Sequence, residues 1–345
     1  MIPIITAAGA SLIMTLVVTP FIIRFFRDRG FGQLIREDAE HIHAAKAGTP
    51  TMGGTAIVVA AAAAFLAAHL VPGTDLTPKG LLVLGTFVGM GAVGFLDDFI
   101  KIRMNRNLGL SKTAKFGGQA LVAAVFAFAG TQFAGISLHL SFVRELDVIL
   151  PSIVFFVWVF VMLSGWSNAV NLTDGLDGLA AGSGVLVLMA YTIIAFWQAR
   201  HPASYAIAPA DAIDMAIMAA AAMAACTGFL WWNAPPARIF MGDTGALAIG
   251  GLLAAMAFGT NTQLLLVSLG GLYVLETLSV IVQVVSFRVF GRRVLHMAPL
   301  HHHFEMEQWH ETTVIVRFWI LAGVSVAGGI GIFYAEYLAT TGTSP

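Results

Sequence analysis

Two adjacent carboxylates close a hydrophobic run in Gly94-Phe-Leu-Asp97-Asp98-Phe-Ile-Lys101. Neighbouring carboxylates repel one another and rise in pKa unless a cation lies close. On a helix Lys101 shares a face with Asp97, four residues before it, while Asp98 points about 100° away. The spacing therefore predicts one paired acid and one left free for a metal ion or a proton. An acidic pair reaching water from the end of a membrane helix is the plainer alternative.

Three more polar clusters follow. Asn168-Ala-Val-Asn171-Leu-Thr-Asp174-Gly-Leu-Asp177-Gly contains two Asp-Gly steps, the mark of a tight polar loop. Its Asn171, Asp174 and Asp177 recur every third residue, and such oxygen ligands suit Mg²⁺ or Ca²⁺, although the calcium-loop spacing is absent. Asn233-Ala-Pro-Pro-Ala-Arg238-Ile-Phe-Met-Gly-Asp243-Thr-Gly leads into another apolar run. Asp243 or Thr244 suits a helix cap there, and a helix start with glycines nearby suits phosphate. In Met297-Ala-Pro-Leu-His301-His302-His303-Phe-Glu305, three consecutive histidines cannot face one point from a helix. That makes a three-histidine zinc site a poor fit, whereas phosphate binding or hydrogen bonding is open to them. Lys112, Lys115 and the stretch His43-Ala-Ala-Lys46-Ala-Gly-Thr49-Pro-Thr51-Met-Gly-Gly add cations and turn formers. Their plainer roles are headgroup contact and a helix start. Carboxylates to hold a metal ion, lysines to neutralise a diphosphate, and an acid or histidine for a proton make up the kit for phosphoryl transfer. A Walker A motif is missing, which excludes a P-loop ATPase.

The elements that position these groups are membrane helices. Of 345 residues, 58% are hydrophobic and 11% charged, too few charged side chains to cover a soluble protein of this size. Mean hydropathy is +0.84. Ten spans are expected, at roughly 3–23, 53–71, 80–96, 117–136, 149–166, 178–198, 213–231, 244–259, 262–286 and 314–338. The predicted fold is an all-α integral membrane protein, one polytopic domain over residues 1–345. Fifteen of the eighteen lysines and arginines fall on one set of connections, leaving Lys79, Arg144 and Arg200 on the other. The positive-inside rule makes the fifteen cytoplasmic and both termini external, so all four clusters are expected on the cytoplasmic face. Ser137 to Leu146 is expected to form a short outer hairpin, and 199–212 a loop. A net charge of −1 argues against nucleic-acid binding, and a single cysteine, Cys226, excludes an intrachain disulfide. Glu276, deep in the ninth span, is either functional or engaged in an interhelical hydrogen bond. Ion-coupled transport is disfavoured, because acids near the bilayer midplane would be expected and only Glu276 qualifies.

The clusters in this order, with Gly48-Thr-Pro-Thr-Met-Gly-Gly54 before them, resemble the polyprenyl-phosphate N-acetylhexosamine-1-phosphate transferase superfamily, over about residues 24–318. The forms of the 168–180 and 297–305 motifs are similar to its muramoyl-pentapeptide branch. The resemblance implies Mg²⁺-dependent transfer of phospho-MurNAc-pentapeptide from UDP-MurNAc-pentapeptide to undecaprenyl phosphate, giving lipid I and UMP. It also implies a homodimer in the bacterial cytoplasmic (inner) membrane, in contact with membrane lipid. A sibling that uses UDP-N-acetylglucosamine is the alternative. By motif, Asp243 is implied as metal ligand and Asp97 and Asp98 as the acids near the lipid phosphate, with Asp98 as base. Lys101 and Lys115 are implied to neutralise the diphosphate, and His302 and His303 to act in catalysis. Lys46, Thr51, Asn168, Asn171, Asp174, Asp177, Asn233, Gln283 and His301 are implied to bind substrate or support its pocket. This chain departs from the pattern at Ala44-Ala45, which weakens the expected basic cluster there.

Overall fold

The computed structural model describes residues 1–29, 48–104 and 108–342, and Lys46 lies outside them. The chain is all-α. Its helices are α1 (Ile2–Asp28), α2 (Gly54–Ala68), α3 (Pro78–Arg103), α4 (Lys112–Gln132), α5 (Ser152–Thr173), α6 (Leu179–Arg200), α7 (Pro209–Asn233), α8 (Gly242–Gly259), α9 (Leu265–Leu269), α10 (Gly271–Phe290), α11 (Leu300–Met306) and α12 (Glu311–Thr341). Between α4 and α5 stands a two-stranded antiparallel hairpin, β1 (His139–Ser141) and β2 (Glu145–Ile149), with His139 opposite Ile149. It is the hairpin expected from the alternation there.

Among the described residues nine helices are long and apolar enough to cross a membrane. The expected second span is the exception. Helix α2 has 15 residues, about 22 Å of rise, short of a hydrocarbon core about 30 Å thick. Extended chain precedes it: the Phe240 amide donates to Pro50 O (2.8 Å), and Gly53 and Gly54 donate to Phe240 O and Met241 O (2.8 and 2.9 Å). The first turn of α2 is thereby tied to the entrance of α8. The expected ninth span, 262–286, is two helices, because the backbone leaves helical geometry at Gly270 and α9 ends there.

Helix starts follow local chemistry. Thr77 caps α3, accepting from the Gly80 amide at 3.0 Å, and Pro78 supplies a preset φ behind it. Ser111 caps α4 through the Ala114 amide at 3.1 Å. Gly291, in the left-handed region, closes α10.

Helix α8 is the axis of the bundle and packs against α2, α3 and α5. Every residue from Asp243 to Gly259 is buried. Its glycines and alanines let neighbouring backbones approach closely, the usual device where lipid removes any hydrophobic drive between helices. Helix α3 meets it through Gly94, whose hypothetical Cβ would lie 2.1 Å from Asp243 O. Cys226, on α7, is fully buried and unpaired.

Candidate active site

The end of α3 and the start of α8 bring three carboxylates together. One oxygen each from Asp97, Asp98 and Asp243 lies within 4.8 Å of the others, and all three residues are buried. Two lysines stand among them. Lys101 Nζ is 2.6 Å from Asp97 Oδ2, 3.2 Å from Asp243 Oδ2 and 3.6 Å from Asp98 Oδ1. Lys115, one turn into α4, reaches Asp243 Oδ2 at 2.5 Å. Three negative charges against two positive ones leave an excess that a cation would balance, and a cluster of carboxylate oxygens is the donor set a hard divalent ion takes. The residues present therefore fit a divalent metal ion.

Each carboxylate is held by more than charge. Asp97 Oδ1 accepts from the Leu110 amide at 2.9 Å, which draws the approach to α4 over the cluster. Asp98 accepts from the amides of Asp243 (3.2 Å) and Thr244 (2.9 Å) and from Thr244 Oγ1 (2.8 Å). Helix α8 is thus capped from another helix, where the sequence suggested its own Asp243 or Thr244. The expectation that one acid of the pair stays free is corrected, since Lys101 reaches both and Asp98 is fully engaged. The cap geometry requires Gly242, whose φ is +72°. A Cβ there would lie 2.6 Å from Asp98 Oδ2 and 3.0 Å from Thr51 Oγ1, which places Thr51 at the same corner.

The 168–178 segment meets this corner along its far end. Helix α5 ends at Thr173, so the three-residue recurrence of Asn171, Asp174 and Asp177 is not carried on one helical face. Asn171 is half-buried on the last turn, and Asn168 Nδ2 donates to Ser164 O (2.7 Å), bonding its own helix. Asp174 lies beyond the helix. Burial first, and then the charges of Asp243 and Asp98, push its carboxyl well above the ordinary carboxylate range, while the Gly242 amide pulls the other way. Asp177 accepts from the Ala237 amide (2.9 Å), and its own amide donates to Glu311 Oε1 (3.2 Å), so it ties three connections together. Asn233 is buried. Its Nδ2 donates to Ile239 O (2.9 Å), and its Oδ1 has no partner among the described residues.

The three histidines diverge, as helical spacing dictates. His301 is fully buried, with Nδ1 3.1 Å from Glu276 Oε1, and its Nε2 is aimed at Gly175, where a Cβ would come within 2.2 Å. The Glu276 carboxylate thus faces His301 on the next helix at ion-pair distance, without a hydrogen bond among the described residues, and His301 links α10 to the Asp174 turn. His302 Nδ1 pairs with Glu305 Oε2 at 2.6 Å. His303 turns toward His296, whose amide donates to His303 Nδ1 at 3.2 Å. Gln283 is a brace: its Oε1 accepts from the Val294 and Leu295 amides (3.0 Å each) and its Nε2 donates to Leu295 O (2.9 Å). Thr244 as a donor to Asp98, Glu276 as partner of His301, and Glu311 were not assigned these roles from sequence. Only Glu276 carried a signal, since an acid buried in a helix demands a partner.

The chain matches the glycosyl transferase family 4 model over residues 80–261 and phospho-N-acetylmuramoyl-pentapeptide-transferase signature 1 over 46–58. Proteins named phospho-N-acetylmuramoyl-pentapeptide-transferase from Saccharopolyspora erythraea, Frankia casuarinae and Rhodococcus opacus are 53%, 52% and 51% identical to it. The alignments cover 97%, 98% and 98% of this chain and 98%, 99% and 99% of those relatives. A multi-pass membrane enzyme whose acids and lysines meet where α3, α4 and α8 converge, this chain belongs to the phospho-N-acetylmuramoyl-pentapeptide-transferase family.

Proposed function

We propose that the protein transfers phospho-MurNAc-pentapeptide from UDP-MurNAc-pentapeptide to undecaprenyl phosphate, giving lipid I and UMP, in the inner membrane of a bacterium. Both termini face outward and the carboxylate cluster faces the cytoplasm in this reading. The observation that carries it is the meeting of Asp97, Asp98 and Asp243 with Lys101 and Lys115. Carboxylates that can hold a metal ion beside lysines are what a diphosphate substrate needs.

Asp243, with Asp97, would hold Mg²⁺. The ion would supply charge neutralisation to the diphosphate. Lys101 and Lys115 bind and orient the diphosphate oxygens. Asp98 keeps the turn of Gly242 and Asp243 in place, a role its three accepted hydrogen bonds favour over the base suggested by sequence. A phosphate monoester with a second pKa of about 6 is already largely a dianion near neutrality and needs no base. An oxygen of the lipid phosphate attacks the sugar-bearing phosphorus, the bond between the two phosphorus centres through their shared oxygen breaks, and UMP leaves with that oxygen. The Asp174 turn and His302 are assigned to substrate binding, and Asn171 and Asn233 to its pocket.

UMP release tests the reading, measured on purified protein with both substrates, with and without Mg²⁺, alongside Asp243→Asn. Release that requires lipid, metal and Asp243 is expected. Turnover of UDP-N-acetylglucosamine instead would move the protein to a sibling activity, and no turnover of either donor by folded protein would refute the reading.

A further inference from the structure

Beyond the carboxylate cluster, a second group of ligating side chains stands on different elements. His296 lies in the connection before α11, His303 on α11, and Glu307 at its C-terminal end. One ligating atom from each lies within 4.8 Å of the other two. His296 Nδ1 is 3.0 Å from Glu307 Oε1, and the rings of His296 and His303 are 5.1 Å apart. His303 and Glu307 are four residues apart, so the helix sets them on one face. The folded-back connection supplies His296 from the opposite side, through its amide bond to His303.

We propose that His296, His303 and Glu307 form a binding site for a divalent transition metal ion, with Zn²⁺ the best match. Two imidazoles and one carboxylate are a borderline-soft donor set, suited to zinc and its neighbours and poorly suited to Mg²⁺ or Ca²⁺. Zinc bonds of about 2.0–2.2 Å require the three donors to draw together. The side chains can do so, being 62% exposed at His296 and 46% at Glu307. A metal ion would replace the long hydrogen bond from the His296 amide to His303 and the His296–Glu307 contact with shorter dative bonds. Three protein ligands leave a fourth position for water, the pattern of an open site. Occupancy would pin α11 to the connection before it and remove His303 from any other task.

The test is zinc binding by the purified full chain, stripped with chelator and titrated against a chromophoric competitor, with Co²⁺ absorption as a second readout. One equivalent should bind, and His296→Ala and Glu307→Gln should each weaken it by about tenfold or more. The combined variant should lose the visible Co²⁺ bands. His139→Ala, which removes the half-buried pair with Glu145 on the hairpin, should not change zinc binding. Thermal unfolding of the variants should match the unsubstituted protein, because neither side chain is buried. No zinc bound by the unsubstituted protein, or equal binding by the combined variant, would overturn the proposal. Neither result depends on the transferase reading. If that reading also holds, Zn²⁺ should slow UMP release in the unsubstituted protein and leave the combined variant unaffected.

Discussion

Helices α8 and α10 are close in length, 18 and 20 residues, and both read as membrane helices. Their surroundings are opposite. All of α8 from Asp243 onward is buried among its neighbours, whereas on α10 only Leu272, Tyr273 and Glu276 are buried. The acids and lysines sit at the head of the enclosed helix, and the histidine segment hangs from the exposed one. Packing sets local stability, so these two halves should differ in rigidity. The charged cluster is fixed by the bundle, while the histidine segment is held by the close approach of Glu276 to His301 and by the hydrogen bonds of Gln283 to the 294–295 backbone. In the proposed function, a diphosphate needs a fixed set of charges, and a sugar-peptide would be better met by a segment that adjusts.

The sharpest way to break the comparison is to push α3 away from α8. Gly94→Leu forces a side chain into Asp243 O and should cost more than about 4 kcal/mol. Thermal unfolding in detergent, or loss of folded protein on purification, reads it directly. Asp98→Asn comes next. It keeps the shape but weakens the cap, so a loss of about 1–2 kcal/mol in unfolding is expected, with turnover down about a hundredfold as Asp243 loses its register. A variant with normal turnover would show that the cap does not position the acid.

On the exposed helix the same kind of change should stay local. Glu276→Gln should raise hydrogen exchange in residues 292–307 about tenfold, about 1.4 kcal/mol of local opening, and leave the global unfolding temperature in place. Global destabilisation instead would mean that α10 is as integral as α8. Smallest of all, Val289→Ala, on a residue 66% exposed, should alter stability by less than about 0.5 kcal/mol, checked by the same unfolding measurement.

Much of this division was legible in the sequence, and its limits are physical. Run length and the Asp-Asp, Asn-x-x-Asn and His-His-His clusters give the helices and the polar end, because hydropathy and helical spacing are local properties. The break at Gly270 was missed because an apolar run hides a kink when both of its parts stay in the membrane. Asp98 as the cap of α8 was out of reach, because the donors lie 145 and 146 residues away and nothing local marks them. The shortness of α2 was hidden for a similar reason: the chain before it is held by Phe240 and Met241, through Pro50, Gly53 and Gly54, and those partners lie far away in sequence. Gln283 looked like a pocket residue because a polar side chain at a helix end reads the same whether it faces a ligand or a loop. Zinc chemistry was discounted for His301, His302 and His303 as a trio, and that stands; the group at His296 needed a fold-back that spacing does not announce.

The cap that joins α3 to α8 also bears on biogenesis. At about 5–20 residues per second, a ribosome takes about 7–30 s to make the 145 residues between Asp98 and Asp243. Through that interval α3 must reside in the insertion machinery or the bilayer with two acids and no helix to receive them. Lys101, three and four residues further on, offers both acids a counter-charge from the same helix. The end of α3 therefore carries its own partial neutralisation while α8 is still unmade.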